Sequence, residues 1–335
     1  MRKVLLLGLG RWGLNHLRNL RSLPVELYIS EVTSERLDPA RRLGVPESRL
    51  SADYRRFIPE VDAAVVVTPA PSHAPLCQEL LEAGKDVFVE KPLAFAAADA
   101  RRLAELADRK RRILQVGHIL RFDPASEWLR HAISTGAFGS VRILRANFSG
   151  FKRPREDGGV MFADAVHMVD LFHYLLGQPP ARVSGFTQDF LRRGMDDASF
   201  VSLEYENSHS VTWATAETNY FLPGKSRELT VVGSEMTAVC DFTEARHKLR
   251  TFAHQHVREG TTFKAVHGER QDLESSPEEP LFAELRAFVD SLRTRETPRA
   301  DGWSGYEAVR VIEAALESAK TGRTVALNSS SHQAG

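Results

Sequence analysis

The stretch Val4-Leu5-Leu6-Leu7-Gly8-Leu9-Gly10-Arg11-Trp12-Gly13 decides the fold of this chain. Its four consecutive apolar residues read as a strand buried on both faces. The glycines follow in the order G-x-G-x-x-G, and Leu14, Leu17, Leu20 and Leu23 then repeat with helical spacing. Strand, glycine turn and helix in that order open a dinucleotide-binding unit. Gly8 allows the tight turn, Gly10 lets backbone approach a pyrophosphate, and Gly13 lets helix and strand pack closely. The helix N-terminus offers unpaired N–H groups and its positive dipole end to the phosphates, with Arg11 and Trp12 in the same loop.

Outward from this stretch, strands and helices alternate. Val25–Ile29, Ala63–Val67, Asp86–Val89 and Ile113–Val116 read as strands. Helices are expected near Ser34–Leu43, His73–Ala83 and Ala97–Lys110. That alternation predicts an α/β Rossmann domain, a doubly wound parallel sheet, over residues 1–120. After residue 120 the pattern changes. A helix is expected from Pro124, a strand over Val141–Phe148 and a helix over Met161–Leu176. Alternating strands follow at Ala198–Tyr205 and Ser210–Ala214, with a further strand at Leu229–Val232. His254–Pro280 is polar and reads as loop or strand edges; Leu281–Leu292 and Tyr306–Ala319 read as helices. Residues 121–328 are thus expected to form an α+β domain with a mainly antiparallel open sheet. Residues 329–335 read as a flexible tail.

Composition narrows the function. Lys+Arg and Asp+Glu both total 44 in 335 residues, so no global basic field draws the chain to nucleic acid or a membrane surface. Arg109-Lys110-Arg111-Arg112 closes a helix, where positive charge is favourable. Cys77 and Cys240 lie far apart with no C-x-x-C, which excludes a disulfide framework and points to a reducing compartment, the cytoplasm. No apolar run is long enough to span a membrane.

Glu31 ends the second strand eighteen residues past Gly13. A carboxylate there accepts hydrogen bonds from an adenosine ribose and repels a 2′-phosphate, so NAD is expected ahead of NADP. Arg36 is the competing observation. Thr68-Pro69-Ala70-Pro71-Ser72-His73 and Val89-Glu90-Lys91-Pro92 each follow a strand at the carboxyl edge of the sheet, where ligands sit in this architecture. Thr68, Pro69, His73, Glu90 and Lys91 are therefore cofactor-site candidates.

At these segments the chain resembles the glucose–fructose oxidoreductase/inositol dehydrogenase family, Gfo/Idh/MocA. The likeness runs through the glycine loop, Val67-Thr68-Pro69, Glu79–Gly84, Val87–Leu93, the segment Gly158–Asp170 and the closing Ser318–Val325. It implies that Lys91 contacts the reacting hydroxyl and that Glu90 helps orient the nicotinamide ribose. It also implies that His167 moves the proton and that the substrate lies between nicotinamide and the His167 helix. Histidine suits that task because its ordinary pKa lies near neutrality. Asp164 and Asp170 stand three residues either side of His167, on one face of a regular helix, so either carboxylate is a candidate to orient the imidazole or to touch substrate hydroxyls, with Asp164 counted among the catalytic candidates. The family's aspartate usually stands four before the histidine, where this chain has Ala163. Asp164, His167, Asp170 and His173 match no compact metal motif, so no metal is expected.

Gly117-His118-Ile119-Leu120-Arg121-Phe122-Asp123-Pro124 resembles a stretch of the branch that oxidises the 3-hydroxyl of nucleotide amino sugars, with Asp123 in place of asparagine. Arg121, and Lys152, Arg153 and Arg155 beyond it, are candidates for a substrate phosphate or carboxylate. The alternative is a brace at the domain junction and solvated loop charges. The expected activity is hydride transfer between NAD and a ring hydroxyl of a sugar or nucleotide sugar. A polyol or monosaccharide dehydrogenase and a non-catalytic NAD sensor are the rivals. By family analogy the open sheet serves as a contact surface in a homodimer or homotetramer.

Overall fold

Apolar runs and glycine turns set out the first half of this computed structural model as the periodicity requires. The structure describes residues 1–206 and 211–327. The elements up to residue 122 are β1 (Arg2–Leu7), α1 (Arg11–Leu20), β2 (Val25–Ser30), α2 (Asp38–Arg42), β3 (Leu50–Ser51), β4 (Ala63–Val66), α3 (His73–Glu82), β5 (Asp86–Val89), α4 (Ala97–Lys110) and β6 (Leu114–Val116). Their strands form one parallel sheet in the order β3-β2-β1-β4-β5-β6. The chain leaves β1 for β2 on one side and returns to β4 on the other. That reversal opens a crevice beyond the carboxyl ends of β1 and β4. Inside the sheet, Val4, Leu5, Leu6, Ala63, Ala64, Val65, Val87 and Phe88 are fully buried.

Leu17 and Leu20 of α1 and Leu23 beyond it are buried as their spacing suggests, and Leu14 is the exception. Gly13, His16, Leu17 and Leu20 face the interior, while Leu14 is exposed. Close packing at Gly13 sets the rotation: a Cβ there would lie 2.1 Å from the Gly8 carbonyl oxygen. Gly8 itself has φ +94, and its Cβ would lie 2.7 Å from Val67 O.

The second half contains α5 (Pro124–Ser134), β7 (Val141–Gly150), α6 (Val166–Leu176), β8 (Arg182–Gln188), β9 (Ala198–Glu206), β10 (Val211–Asn219), β11 (Lys225–Gly233), β12 (Thr237–Asp241), β13 (Leu249–Phe252), β14 (Gln255–Glu259), β15 (Thr262–Val266) and β16 (Arg270–Leu273). Then come α7 (Pro280–Thr294), α8 (Gly302–Thr321) and β17 (Val325–Ala326). Nine strands form a sheet in the order β16-β13-β12-β11-β7-β10-β9-β8-β17. Every pairing is antiparallel except β7 with β10. The segment expected to be loop or strand edges forms the β14–β15 hairpin and β16. Ser210 and the expected tail, 329–335, lie outside the described residues.

The first passage between units falls after Phe122, near the expected boundary, and a later segment joins the first unit. One compact unit is Met1–Phe122 with Glu278–Val309; the other is Asp123–Pro277 with the residues from Arg310 on. The reason is α7. Its Leu281, Leu285, Phe288, Val289 and Leu292 join the core of Val4, Leu6 and Phe88. Each buried side chain of that size stabilises by about 1.5–3 kcal/mol, so the helix folds with the parallel sheet despite its place in the chain. Both cysteines are buried and free. Among the described residues no helix is long and apolar enough to cross a membrane.

Candidate active site

In the first unit, the glycine loop and the start of α1 line an open cavity of about 450 Å³ with Leu9, Gly10, Arg11, Leu14, Glu35 and Arg36. No side chain caps α1 at Gly10. A Cβ on Gly10 would meet nothing within 4 Å, in contrast to Gly8 and Gly13. Open space beside bare helix amides fits a pyrophosphate. Glu31 is only 5% exposed. One of its oxygens accepts the Leu9 N–H at 2.8 Å and the other the Thr33 N–H at 3.0 Å. The carboxylate thus closes the turn after β1, and each oxygen keeps a lone pair for a ribose hydroxyl. The residues present fit a dinucleotide.

Two further loops reach the same edge of the sheet. Thr68 and Pro69 follow β4. Thr68 Oγ1 lies 2.6 Å from Ser72 Oγ. His73 does not point at a ligand: Nε2 lies 2.9 Å from Thr68 O and Nδ1 2.7 Å from Pro92 O. Both nitrogens face backbone carbonyls, so His73 ties the two loops together. Glu90 and Lys91 follow β5. Glu90 Oε1 accepts the Trp12 indole N–H at 2.6 Å and lies 2.8 Å from His16 Nε2. Burial pushes the Glu90 carboxyl up, but the hydrogen bond and charge of His16, the Trp12 N–H and Lys91 outweigh it. The net result lies below the ordinary 4.5.

Arg121 fits the bracing alternative. It is 5% exposed, and its guanidinium donates to Arg299 O at 2.7 Å and Ser304 Oγ at 3.1 Å. It braces its own unit. Asp123 caps α5 through Ala125 N at 2.9 Å, and its other oxygen lies 2.6 Å from Lys248 Nζ. That pairing gives the buried Asp123 carboxylate a charged partner inside its own unit.

The second unit holds the other candidates. Met161–Ala165 forms a single wide π turn before α6 begins at Val166. Asp164 therefore sits on a π turn and His167 on α6, not on one regular helix face with Asp170. Asp164 Oδ2 lies 2.7 Å from Lys152 Nζ. The His167 imidazole stacks on Phe148 with centroids 4.9 Å apart. Phe148 also carries the Arg227 guanidinium 3.6 Å from its ring centre. Burial and the Asp164 charge push the Tyr220 hydroxyl up, and burial lowers Arg227. Asp170 is 1% exposed, inside the unit and within electrostatic reach of Tyr205. Arg153 pairs with Glu156 at the surface, and Arg155 with Asp157 at 2.7 Å.

Three contributors escaped the sequence reading. His16 had a signal, since it stands four residues after Trp12 on the same helix face. Phe148 had none. Asp196 had half of one: its Oδ2 accepts the Met161 N–H at 2.7 Å and its backbone oxygen the Val160 N–H at 2.9 Å. A Cβ on Gly159 would lie 1.8 Å from Asp196 Oδ1, so the Gly158-Gly159 pair marks where this carboxylate enters. Burial holds the Asp196 carboxyl above its ordinary value.

The chain matches known proteins over most of its length. Residues 2–118 match a model described as an oxidoreductase family NAD-binding Rossmann fold. Residues 130–327 match an oxidoreductase family C-terminal alpha/beta domain. The chain is 27% identical to scyllo-inositol 2-dehydrogenase (NAD(+)) of Bacillus subtilis (strain 168), over 96% of this chain and 95% of that protein. It is 26% identical to UDP-N-acetylglucosamine 3-dehydrogenase of Acidithiobacillus ferrooxidans, over 78% and 79%. A solved structure of the latter enzyme superposes with TM-score 0.83 at 21% identity, covering 96% of this chain and 98% of that one.

Proposed function

The chain belongs to the Gfo/Idh/MocA oxidoreductase family, an NAD-binding dehydrogenase family, and from that premise we propose that it oxidises a ring hydroxyl of an uncharged cyclic polyol or sugar. One observation carries the substrate class. The cations singled out for a substrate phosphate each have an acceptor in the folded chain: Arg121 on Arg299 O and Ser304, Lys152 on Asp164, Arg155 on Asp157 and, at the surface, Arg153 on Glu156. The inositol dehydrogenase relative supports the same choice.

Bound NAD would supply the hydride acceptor. His167 takes the hydroxyl proton, and the stacked Phe148 limits how its ring can turn. Lys91 stabilises negative charge developing on the hydroxyl oxygen. Glu90 orients the nicotinamide ribose. Asp164, held by Lys152, accepts a neighbouring hydroxyl of the ring. Glu31 and the glycine loop take the adenosine ribose and pyrophosphate. The apolar side chains Ile143, Phe186, Phe200 and Trp213 on the exposed sheet surface support a homo-oligomer, which light scattering checks.

The test is NAD reduction, followed by absorbance, on inositols, monosaccharides and UDP-sugars. Wild type should respond to the uncharged ring compounds, and Lys91→Met should lower kcat by about 10²–10³-fold. Turnover of UDP-sugars alone would move the substrate to the nucleotide-sugar class. Silence on every compound with NAD binding intact would favour a sensor.

A further inference from the structure

Glu90 is held from more sides than an ordinary loop carboxylate. Its Oε1 has Trp12 Nε1 at 2.6 Å and His16 Nε2 at 2.8 Å. Its other oxygen accepts the Lys91 N–H at 3.3 Å. Behind it, a Cβ on Gly117 would come within 3.1 Å of the carboxylate. An indole N–H only donates, and an ionised carboxylate only accepts, so His16 Nε2 donates as well. The His16 ring is fully buried, edge-on to Phe88 at 5.5 Å and to Trp12 at 6.1 Å. Its Nδ1 has no hydrogen-bond partner among the described residues. Among the described residues, the sole polar link of this buried side chain is therefore the one to Glu90.

The link joins two different parts of the cofactor site. Trp12 and His16 ride on α1, whose N-terminus faces the pyrophosphate position. Glu90 follows β5, which lies three places from β2 and Glu31 in the sheet. At the usual strand spacing that is about 14 Å, the separation of opposite halves of a dinucleotide lying across the crevice. We infer that Trp12 and His16 form a clamp fixing the Glu90 carboxylate, and that His16 is a positioning residue for the nicotinamide half of NAD. The inference rests on the cofactor reading above and adds a residue to it. Without the clamp, Glu90 gains rotamer freedom and the nicotinamide ribose loses a fixed acceptor, while the adenosine half keeps all its contacts.

The test compares NADH, which carries the nicotinamide ribose, with ADP, which does not. Both dissociation constants are measured by fluorescence on the full chain, NADH directly and ADP by competition. His16→Leu should weaken NADH about tenfold and leave ADP within about twofold. His16→Gln, which keeps an N–H donor, should bring NADH back to within about threefold of wild type. Taking the ratio of two ligands on one sample separates the effect from partial misfolding. In a Glu90→Gln background, His16→Leu should have little further effect on NADH. Equal weakening of NADH and ADP would show that His16 only supports α1, and would overturn the clamp. So would unchanged NADH affinity, or failure of His16→Gln to rescue. Absence of turnover on every substrate alongside the expected binding ratio would sink the proposed substrate and support the clamp.

Discussion

Gly10 and Gly13 stand three residues apart and predict opposite outcomes. Gly13→Ala drives a methyl into the Gly8 carbonyl, so it should lower Tm, by about 1–3 kcal/mol or more of stability. Gly10→Ala has open space around its Cβ. It should fold as wild type and weaken NAD binding, because the methyl occupies the approach to the pyrophosphate; calorimetry and NAD titration on both variants check this. Glu90 makes the pH prediction. Its folded-state value lies below the ordinary 4.5, so its contribution to stability is present above that value. The contribution is lost as pH falls through the lowered one. The acid limb of Tm against pH should therefore be shallower below about pH 4.5 in Glu90→Gln than in wild type.

At the scale of elements, the turn before α6 is the feature with the most consequence. A π turn has one more residue per hydrogen-bonded ring than an α turn, so spacing counted on a regular helix misplaces Asp164 against Asp170. The turn is held by Asp196, from a loop after β8, through the N–H groups of Val160 and Met161. Asp196→Ala removes the side-chain acceptor from Met161 N and should cost about 1–3 kcal/mol. Because this turn leads into His167, kcat should fall while NADH affinity is kept. Equal loss of both in kinetics and titration would count against a local effect. The helix α1 carries a similar lesson. Leucine spacing names Leu14 as core, but the tight approach of Gly13 to Gly8 turns the helix so that His16 is buried instead.

At the scale of the whole molecule, the chain passes from one unit to the other after Phe122, after Pro277 and after Val309. Asp123, at the first passage, is buried with Lys248 from the same unit, 125 residues away. Lys248→Met leaves that carboxylate uncompensated and should destabilise by about 3–5 kcal/mol. Adding Asp123→Asn should recover much of the loss, since the asparagine oxygen can still cap α5. Thermal denaturation of the two variants measures both effects.

The fold class and the cofactor edge were legible in the sequence because they follow from local rules. An apolar run, a glycine turn and a helix can be read in ten residues. Once strands and helices alternate, every strand-to-helix loop falls on one edge of a parallel sheet, so Gly10, Thr68 and Glu90 share it. Partner choice was not legible. Arg121, Lys152, Arg153 and Arg155 have no partner that can be read from sequence, yet each finds an acceptor in the folded chain, Arg121 as far as 183 residues away. His16 and Glu90 are 74 residues apart, and Met161 and Asp196 are 35 apart. A charge or a buried ring is satisfied by whatever lies within about 3 Å in space, and only the packing of α1 on β5, of the β8–β9 loop on the π turn, and of α7 on the parallel sheet sets those distances.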